Sequence, residues 1–62
     1  MDGFEAIAKE MEEKVVQLKD YLATGRATTY EEYKMLCGEI KGLLFAKDYS
    51  LGLKRTVEES DD

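Results

Sequence analysis

The chain has no histidine and only one cysteine, Cys37, among its 62 residues. A single cysteine excludes a disulfide within the chain, and without histidine or a cysteine cluster a structural zinc site of the usual kind is excluded. A chain of this size buries only about 60% of the surface that it exposes when unfolded, so small domains often rely on a disulfide, a metal or a partner. With the first two excluded, we expect self-association.

Long apolar runs and basic stripes are also missing. No stretch approaches the roughly 20 apolar residues that cross a bilayer, and the acidic N-terminus lacks the apolar segment of a secretory signal. The net charge is −5, and its acidic excess lies at the two ends of the chain, so phosphate backbones would repel it. We therefore expect no membrane and no direct nucleic-acid partner. A lone thiol suits a reducing compartment, so we expect a soluble, cytoplasmic protein.

Apolar residues in the first part of the chain recur with helical spacing. Six of them lie on one stripe, with gaps of three and four residues: Phe4, Ile7, Met11, Val15, Leu18 and Leu22. This period predicts a one-faced amphipathic helix over about residues 2–24. Gly25 follows the pattern at a position where a residue with positive φ commonly ends a helix.

A short polar connection leads into a second predicted helix over about residues 29–48. The connection ends in two overlapping capping boxes, Thr28 with Glu31 and Thr29 with Glu32, and we favour Thr28 as the N-cap. Because the connection is short, the two helices should be antiparallel neighbours. A short extension is predicted to residue 55, and the acidic residues 56–62 are predicted to form a flexible tail.

The second helix is predicted to be apolar on two faces when its residues are placed at 100° intervals. One face should meet the first helix and carries Tyr33, Leu36, Cys37, Ile40, Leu43 and Leu44. The other face is the predicted interface and carries Met35, Gly38, Gly42, Phe45, Ala46 and Tyr49. A two-helix hairpin cannot cover both faces, so we expect a second copy of the chain to cover the interface.

Gly38 and Gly42 lie one turn apart in the middle of this second helix. Each glycine costs the helix about 1 kcal/mol relative to alanine, and the missing side chains allow another backbone to come close. Two other interpretations stay open, namely a close approach inside the hairpin and glycines that the helix merely tolerates. We favour a contact between chains because the second helix has two apolar faces.

Candidate catalytic groups are scarce. Cys37 is predicted on the core face beside Leu36 and Ile40, where a free cysteine is commonly a small buried hydrophobe; without histidine it also lacks an activating base. Paired glutamates such as Glu12 and Glu13 could perform acid–base chemistry, but such runs on a helix exterior are usually a solvated surface. We expect a protein that is not an enzyme, with no catalytic residue, cofactor or metal.

The segment that spans residues 21–49 resembles small, mostly uncharacterised helical-hairpin proteins of tailed bacteriophages. Its second helix contains the pattern Leu-x-Gly-x-Ile-x-Gly-Leu, and the matching residues are Leu22, Gly25, Tyr30, Glu32, Tyr33, Leu36, Gly38, Ile40, Gly42, Leu43 and Ala46. The resemblance covers about half of the chain. What it implies is a phage origin rather than a mechanism.

These patterns predict an all-α antiparallel hairpin that assembles into a four-helix dimer or a larger helical oligomer. The expected function is a non-catalytic phage protein–protein interaction module, which assists virion assembly or is a minor structural component, in the host cytoplasm or the virion. The alternative is a small acidic inhibitor that binds and blocks a host enzyme, such as a nucleic-acid-processing protein. Salt should weaken the charge-driven inhibitor steeply but not the apolar assembly.

Overall fold

The structure, a computed structural model, describes residues 2–60 and contains two α-helices, α1 (Gly3–Ala23) and α2 (Tyr30–Ser60). Near the connection, the Tyr21 hydroxyl donates to Glu32 at 2.8 Å, and at the far end the Ser50 hydroxyl donates to the Phe4 carbonyl at 3.0 Å. Residues near the end of α1 thus contact the start of α2, and residues in the second half of α2 contact the start of α1. The predicted all-α antiparallel hairpin is confirmed for the described residues.

The first helix ends at the glycine that the sequence indicates. Gly25 has a φ of 73°, and its backbone N–H donates to the Leu22 carbonyl at 3.1 Å. The next N–H, from Arg26, donates to the Tyr21 carbonyl at 3.3 Å. This pair of bonds is the Schellman arrangement, which satisfies carbonyls that the end of a helix leaves free.

The second helix begins one residue later than the predicted N-cap implies. The backbone N–H of Glu32 donates to the Thr29 hydroxyl at 3.0 Å, so Thr29 is the N-cap and the choice of Thr28 is wrong. The Thr28 hydroxyl instead donates to the Glu32 carboxylate at 3.4 Å. That carboxylate also accepts the 2.8 Å bond from Tyr21 on α1, which favours the observed position of Glu32 at the third helical residue.

The end of α2 is the largest departure from the sequence prediction. The helix continues to Ser60 instead of ending near residue 48, so the predicted flexible tail is wrong for residues 56–60; residues 61 and 62 lie outside the described part of the chain. Ser50 is buried against α1, and Lys54 forms an ion pair with Glu5. These contacts, together with the helical hydrogen bonds, offset the roughly 1 kcal/mol that Gly52 costs inside a helix.

The two helices meet along a seam whose residues alternate at gaps of four and three. On α1 the seam residues are Phe4, Ala8, Met11, Val15, Leu18 and Leu22, and on α2 they are Leu36, Ile40, Leu43, Lys47, Ser50 and Lys54. This is the 3.5-residue period of coiled-coil packing. Ile7, which the sequence places on the stripe, is 51% exposed, and Ala8 packs in its place.

The hairpin has only a small core of its own. Within residues 2–60, the buried apolar side chains are Ala8, Val15 and Leu36. The molecule measures 52 × 19 × 11 Å, with a radius of gyration of 14.8 Å, whereas a compact chain of this length would have about 11 Å. Its accessible surface of 4833 Å² exceeds the roughly 4,100 Å² expected for a compact monomer of this mass. Each chain therefore exposes about 700 Å² more than a compact fold would.

Candidate interaction surface

Five of the six residues of the predicted interface are exposed on the part of α2 that turns away from the seam, and Ala46 is half-buried at its border with α1. Met35, Phe45 and Tyr49 have exposed fractions of 66%, 71% and 61%. At Gly38 and Gly42, a Cβ atom would have no heavy atom within 4 Å beyond the local helix backbone. The two glycines therefore make no close approach inside the hairpin, and that interpretation is excluded.

Two aromatic rings project from this surface as a pair. Phe45 and Tyr49 lie one turn apart, and their rings stack with centroids 6.2 Å apart and planes inclined by 19°. The ring faces that do not touch each other are open to solvent, because each side chain is more than half exposed. A stacked aromatic pair on a helix surface offers a large apolar area in a defined orientation.

The apolar surface extends beyond the residues that the sequence indicates. A shallow groove between the helices is lined by Phe4, Ile7, Phe45, Ala46, Tyr49, Ser50 and Leu53, and Val57 lies in the adjoining groove that reaches Lys54. Ile7, Leu53 and Val57 are 51%, 40% and 47% exposed. We call the six predicted residues together with these three the open face.

Sequence reasoning missed Leu53 and Val57 because it ended the helix at residue 48. The signal was nevertheless present, since Phe45, Tyr49, Leu53 and Val57 follow one another at gaps of four. This spacing places them in one row along the surface of an α-helix. Ile7 was missed for a different reason: it was assigned to the seam, where the regular alternation of four and three residues after Phe4 places Ala8 instead.

One ion pair bridges the two helices away from the stacked rings of the open face. The Lys47 ammonium donates to the Glu12 carboxylate at 2.9 Å, a hydrogen bond that lowers the pKa of Glu12 and raises that of Lys47. Helical rotation puts Lys47 about 160° around α2 from Phe45. This ion pair therefore joins the helices at the seam, on the side of α2 opposite Phe45.

The N-terminal end of α1 is held to α2 by a second charged group. Asp2 caps α1 by accepting the Glu5 backbone N–H at 2.8 Å, which lowers the Asp2 pKa. Lys54 bonds to the Glu5 side chain and lies 3.5 Å from Asp2 and 3.8 Å from Glu58. The hydrogen bond to Glu5 raises the Lys54 pKa. These carboxylates thus surround an ammonium group that docks the end of the hairpin.

Two tyrosine hydroxyl groups also bond to neighbours within the hairpin. The hydrogen bond to Glu32 raises the pKa of Tyr21, and a hydrogen bond with Cys37 raises the pKa of Tyr33. Both effects keep the phenols neutral. Across residues 2–60, no group of three or more carboxylate or thiol side chains could hold a metal ion. Neither described helix combines the length and the apolar character that crossing a bilayer requires.

Comparison with known proteins adds no relative. No protein-family model matches the chain, and no match is found among curated proteins or solved structures. The resemblance to phage hairpin proteins therefore stays a prediction. By its own geometry, the molecule belongs to the class of antiparallel α-hairpins that leave one broad apolar face uncovered.

Proposed function

We propose that the protein is a non-catalytic interaction module that self-associates through the open face. The observation that carries this proposal is the exposure of the stacked rings of Phe45 and Tyr49, next to two glycines with empty space around them. Contiguous exposed apolar patches commonly mark interaction sites. Covering this one would enlarge a core that contains three buried apolar side chains within residues 2–60.

The finer part of the proposal is a four-helix dimer, or a larger helical oligomer, that acts in the assembly or minor structure of a phage particle. A four-helix assembly follows naturally when two hairpins bury one face each. The phage setting rests on the resemblance of residues 21–49 and on no contact in the hairpin. Detection of the chain in purified virions by mass spectrometry would test that setting.

Light scattering at low and high salt tests self-association directly. We expect the wild type to be a defined oligomer whose mass does not fall with salt, because apolar burial is not screened. Gly42→Leu places a large side chain where another backbone or ring should lie, and we expect a monomer that keeps its helical circular dichroism.

Glu13→Leu is the matched control, since it adds the same leucine to the exposed outer surface of α1. It should leave the oligomer intact. A wild type that stays monomeric up to millimolar concentration, or an equal loss of mass in both variants, would contradict self-association through α2.

A second candidate is the small acidic inhibitor of a host enzyme, which the charge distribution favours. The net charge is −5, and the outer surface of α1 exposes Glu10, Glu13 and Asp20. Binding to a basic channel through this surface should weaken steeply with salt. A pull-down from infected-cell extract at two salt concentrations, with Glu10→Gln/Glu13→Gln as the comparison, separates this candidate from self-association.

A further inference from the structure

We propose that a second copy of the chain covers the open face with its own α2 running antiparallel. The two-fold axis crosses the open face at a height along α2 midway between residues 43 and 44. Phe45 then lies opposite the partner's Gly42, and Tyr49 lies opposite the partner's Gly38. This inference rests on the proposed self-association and adds its geometry. The occupant of the open face is then a second copy of this hairpin, with each α2 supplying both the rings and the glycines.

The first argument is that the spacing of the two exposed rings matches the spacing of the two glycines. Phe45 and Tyr49 are four residues apart, and so are Gly38 and Gly42. A two-fold axis midway between the pairs therefore brings both rings over both glycines at once. The rings are more than half exposed. At either glycine, no heavy atom of residues 2–60 beyond the local helix lies within 4 Å of a Cβ position, so each projecting ring meets an empty position.

A parallel arrangement does not use these features. Two parallel helices related by a two-fold axis place each residue at the height of its own copy, so Phe45 would meet the partner's Phe45. The facing rings would hold the two helices apart, so the glycines that face glycines would leave gaps that close packing avoids. The antiparallel arrangement also explains why the rings and the glycines lie in different halves of one helix face.

Met35 and Leu53 fit the same axis. Both lie about 80° around α2 from Phe45, on the edge of the open face that borders α1. An antiparallel two-fold axis brings this edge of one α2 next to the same edge of the partner's α2. Along the helix, Met35 then lies within one residue of the partner's Leu53. Met35 is 66% exposed and Leu53 40% exposed. The contact would cover both and extend toward Ile7 on α1.

Charge complementarity follows on the opposite edge of the open face. Lys41 and Asp48 lie along that edge seven residues apart, and within the described residues neither belongs to a salt bridge of the hairpin. The same axis brings Lys41 within about 3 Å, measured along the helix, of the height of the partner's Asp48. Because the dimer has two-fold symmetry, it contains this ion pair twice.

The exposed area agrees with one partner of this kind. The chain has 4833 Å² of accessible surface, which is about 700 Å² more than a compact monomer of its mass would have. A specific protein–protein interface of standard size buries about 800 Å² on each partner. One contact with a second copy would therefore bring the surface per chain close to that of a compact protein.

Disulfide cross-linking tests the antiparallel register. Two single-cysteine chains are prepared in a Cys37→Ala background, one with Gly38→Cys and one with Tyr49→Cys, and they are oxidised separately and as a mixture. We expect the mixture to form a disulfide-linked heterodimer. Each chain alone should stay unlinked, because like positions lie about 16 Å apart along the helices and a disulfide joins Cα atoms less than about 7 Å apart.

The outcomes separate this inference from the proposed function. Cross-links within each single variant would overturn the antiparallel register in favour of a parallel one. An oligomer by light scattering without the mixed cross-link would overturn the register and leave self-association standing. If the Cys37→Ala chain and the wild type are both monomeric by light scattering, that result would overturn both the antiparallel register and the proposed self-association.

Charge reversal provides an independent check that leaves the rings and glycines in place. We expect Lys41→Glu and Asp48→Lys each to raise the dissociation constant of the dimer about tenfold, because each creates two like-charge contacts. The double variant Lys41→Glu/Asp48→Lys should recover wild-type affinity. A double variant weaker than either single variant would overturn the pairing.

Discussion

Val15 and Val16 are neighbours in the sequence, but the fold treats them oppositely. Val15 is fully buried in the seam and Val16 is 57% exposed, because an α-helix turns by about 100° per residue. The sequence predicts this difference, since Val15 belongs to the apolar stripe and Val16 does not. With three buried apolar residues in the described chain, each one carries a large share of the stability.

Val15→Ala should lower the free energy of unfolding by about 2 kcal/mol, because it removes two buried methyl groups and leaves a cavity. Chemical denaturation at a fixed protein concentration measures the change, since association also contributes to stability. Val16→Ala is the matched control and should change stability by less than about 0.5 kcal/mol. Equal losses in the two variants would show that the seam is not where the structure has it.

At the scale of the elements, α1 and α2 differ in how far their sequences define them. The start and end of α1 follow from local signals: Asp2 caps it, and Gly25 ends it with a positive φ. The second half of α2 has weaker signals, because its seam positions Lys47, Ser50 and Lys54 are polar. Their side chains bond to Glu12, Phe4 and Glu5 of α1, which lie far away in the chain.

The interhelical ion pairs and the Asp2 cap of α1 predict that helical content is highest at intermediate pH and falls in acid and in base. The pKa of Asp2 and that of Glu12 lie below their ordinary values of 3.8 and 4.5, so their contribution is present above those values and is lost as the pH falls through the lower folded pKa. The pKa of Lys47 and that of Lys54 lie above 10.5. Their contribution is present below that value and is lost as the pH rises through the higher folded pKa.

Circular dichroism as a function of pH measures this change in helical content. We expect helicity to fall below about pH 4 and above about pH 10.5, with the second half of α2 opening first, because there the helix relies on its polar contacts with α1. Glu12→Gln should reduce the acid-dependent loss, since it removes one titrating partner. A helical signal that does not change between pH 2 and 12 would contradict this role of the ion pairs.

At the scale of the whole molecule, a substitution on the open face should change the stability of the single hairpin and the strength of its association in opposite directions. Gly42 is in a helix, and a Cβ there would have no heavy atom of residues 2–60 within 4 Å beyond the local helix. Gly42→Ala should therefore stabilise the single hairpin by about 1 kcal/mol. In the proposed dimer, the same methyl group lies where the partner's Phe45 packs, so association should weaken.

Thermal unfolding over a hundredfold range of protein concentration separates these two effects. The wild-type midpoint should rise with concentration, as linkage to association requires. Gly42→Ala should have the higher midpoint in dilute solution and the flatter dependence on concentration. A wild-type midpoint that is independent of concentration would indicate that the open face has no second copy on it.

The sequence alone determined the two helices, the turn at Gly25 and the second apolar face with Gly38, Gly42, Phe45 and Tyr49. These features depend on periodicity and on residues within one helical turn of each other, which can be compared without knowing the fold. Only the tertiary structure decided that α2 continues to Ser60. The spacing of Leu53 and Val57 is visible in the sequence, but it extends the open face only because the helix continues that far. That continuation depends on contacts between residues more than 40 positions apart, such as Ser50 with Phe4, and no local pattern encodes such a contact.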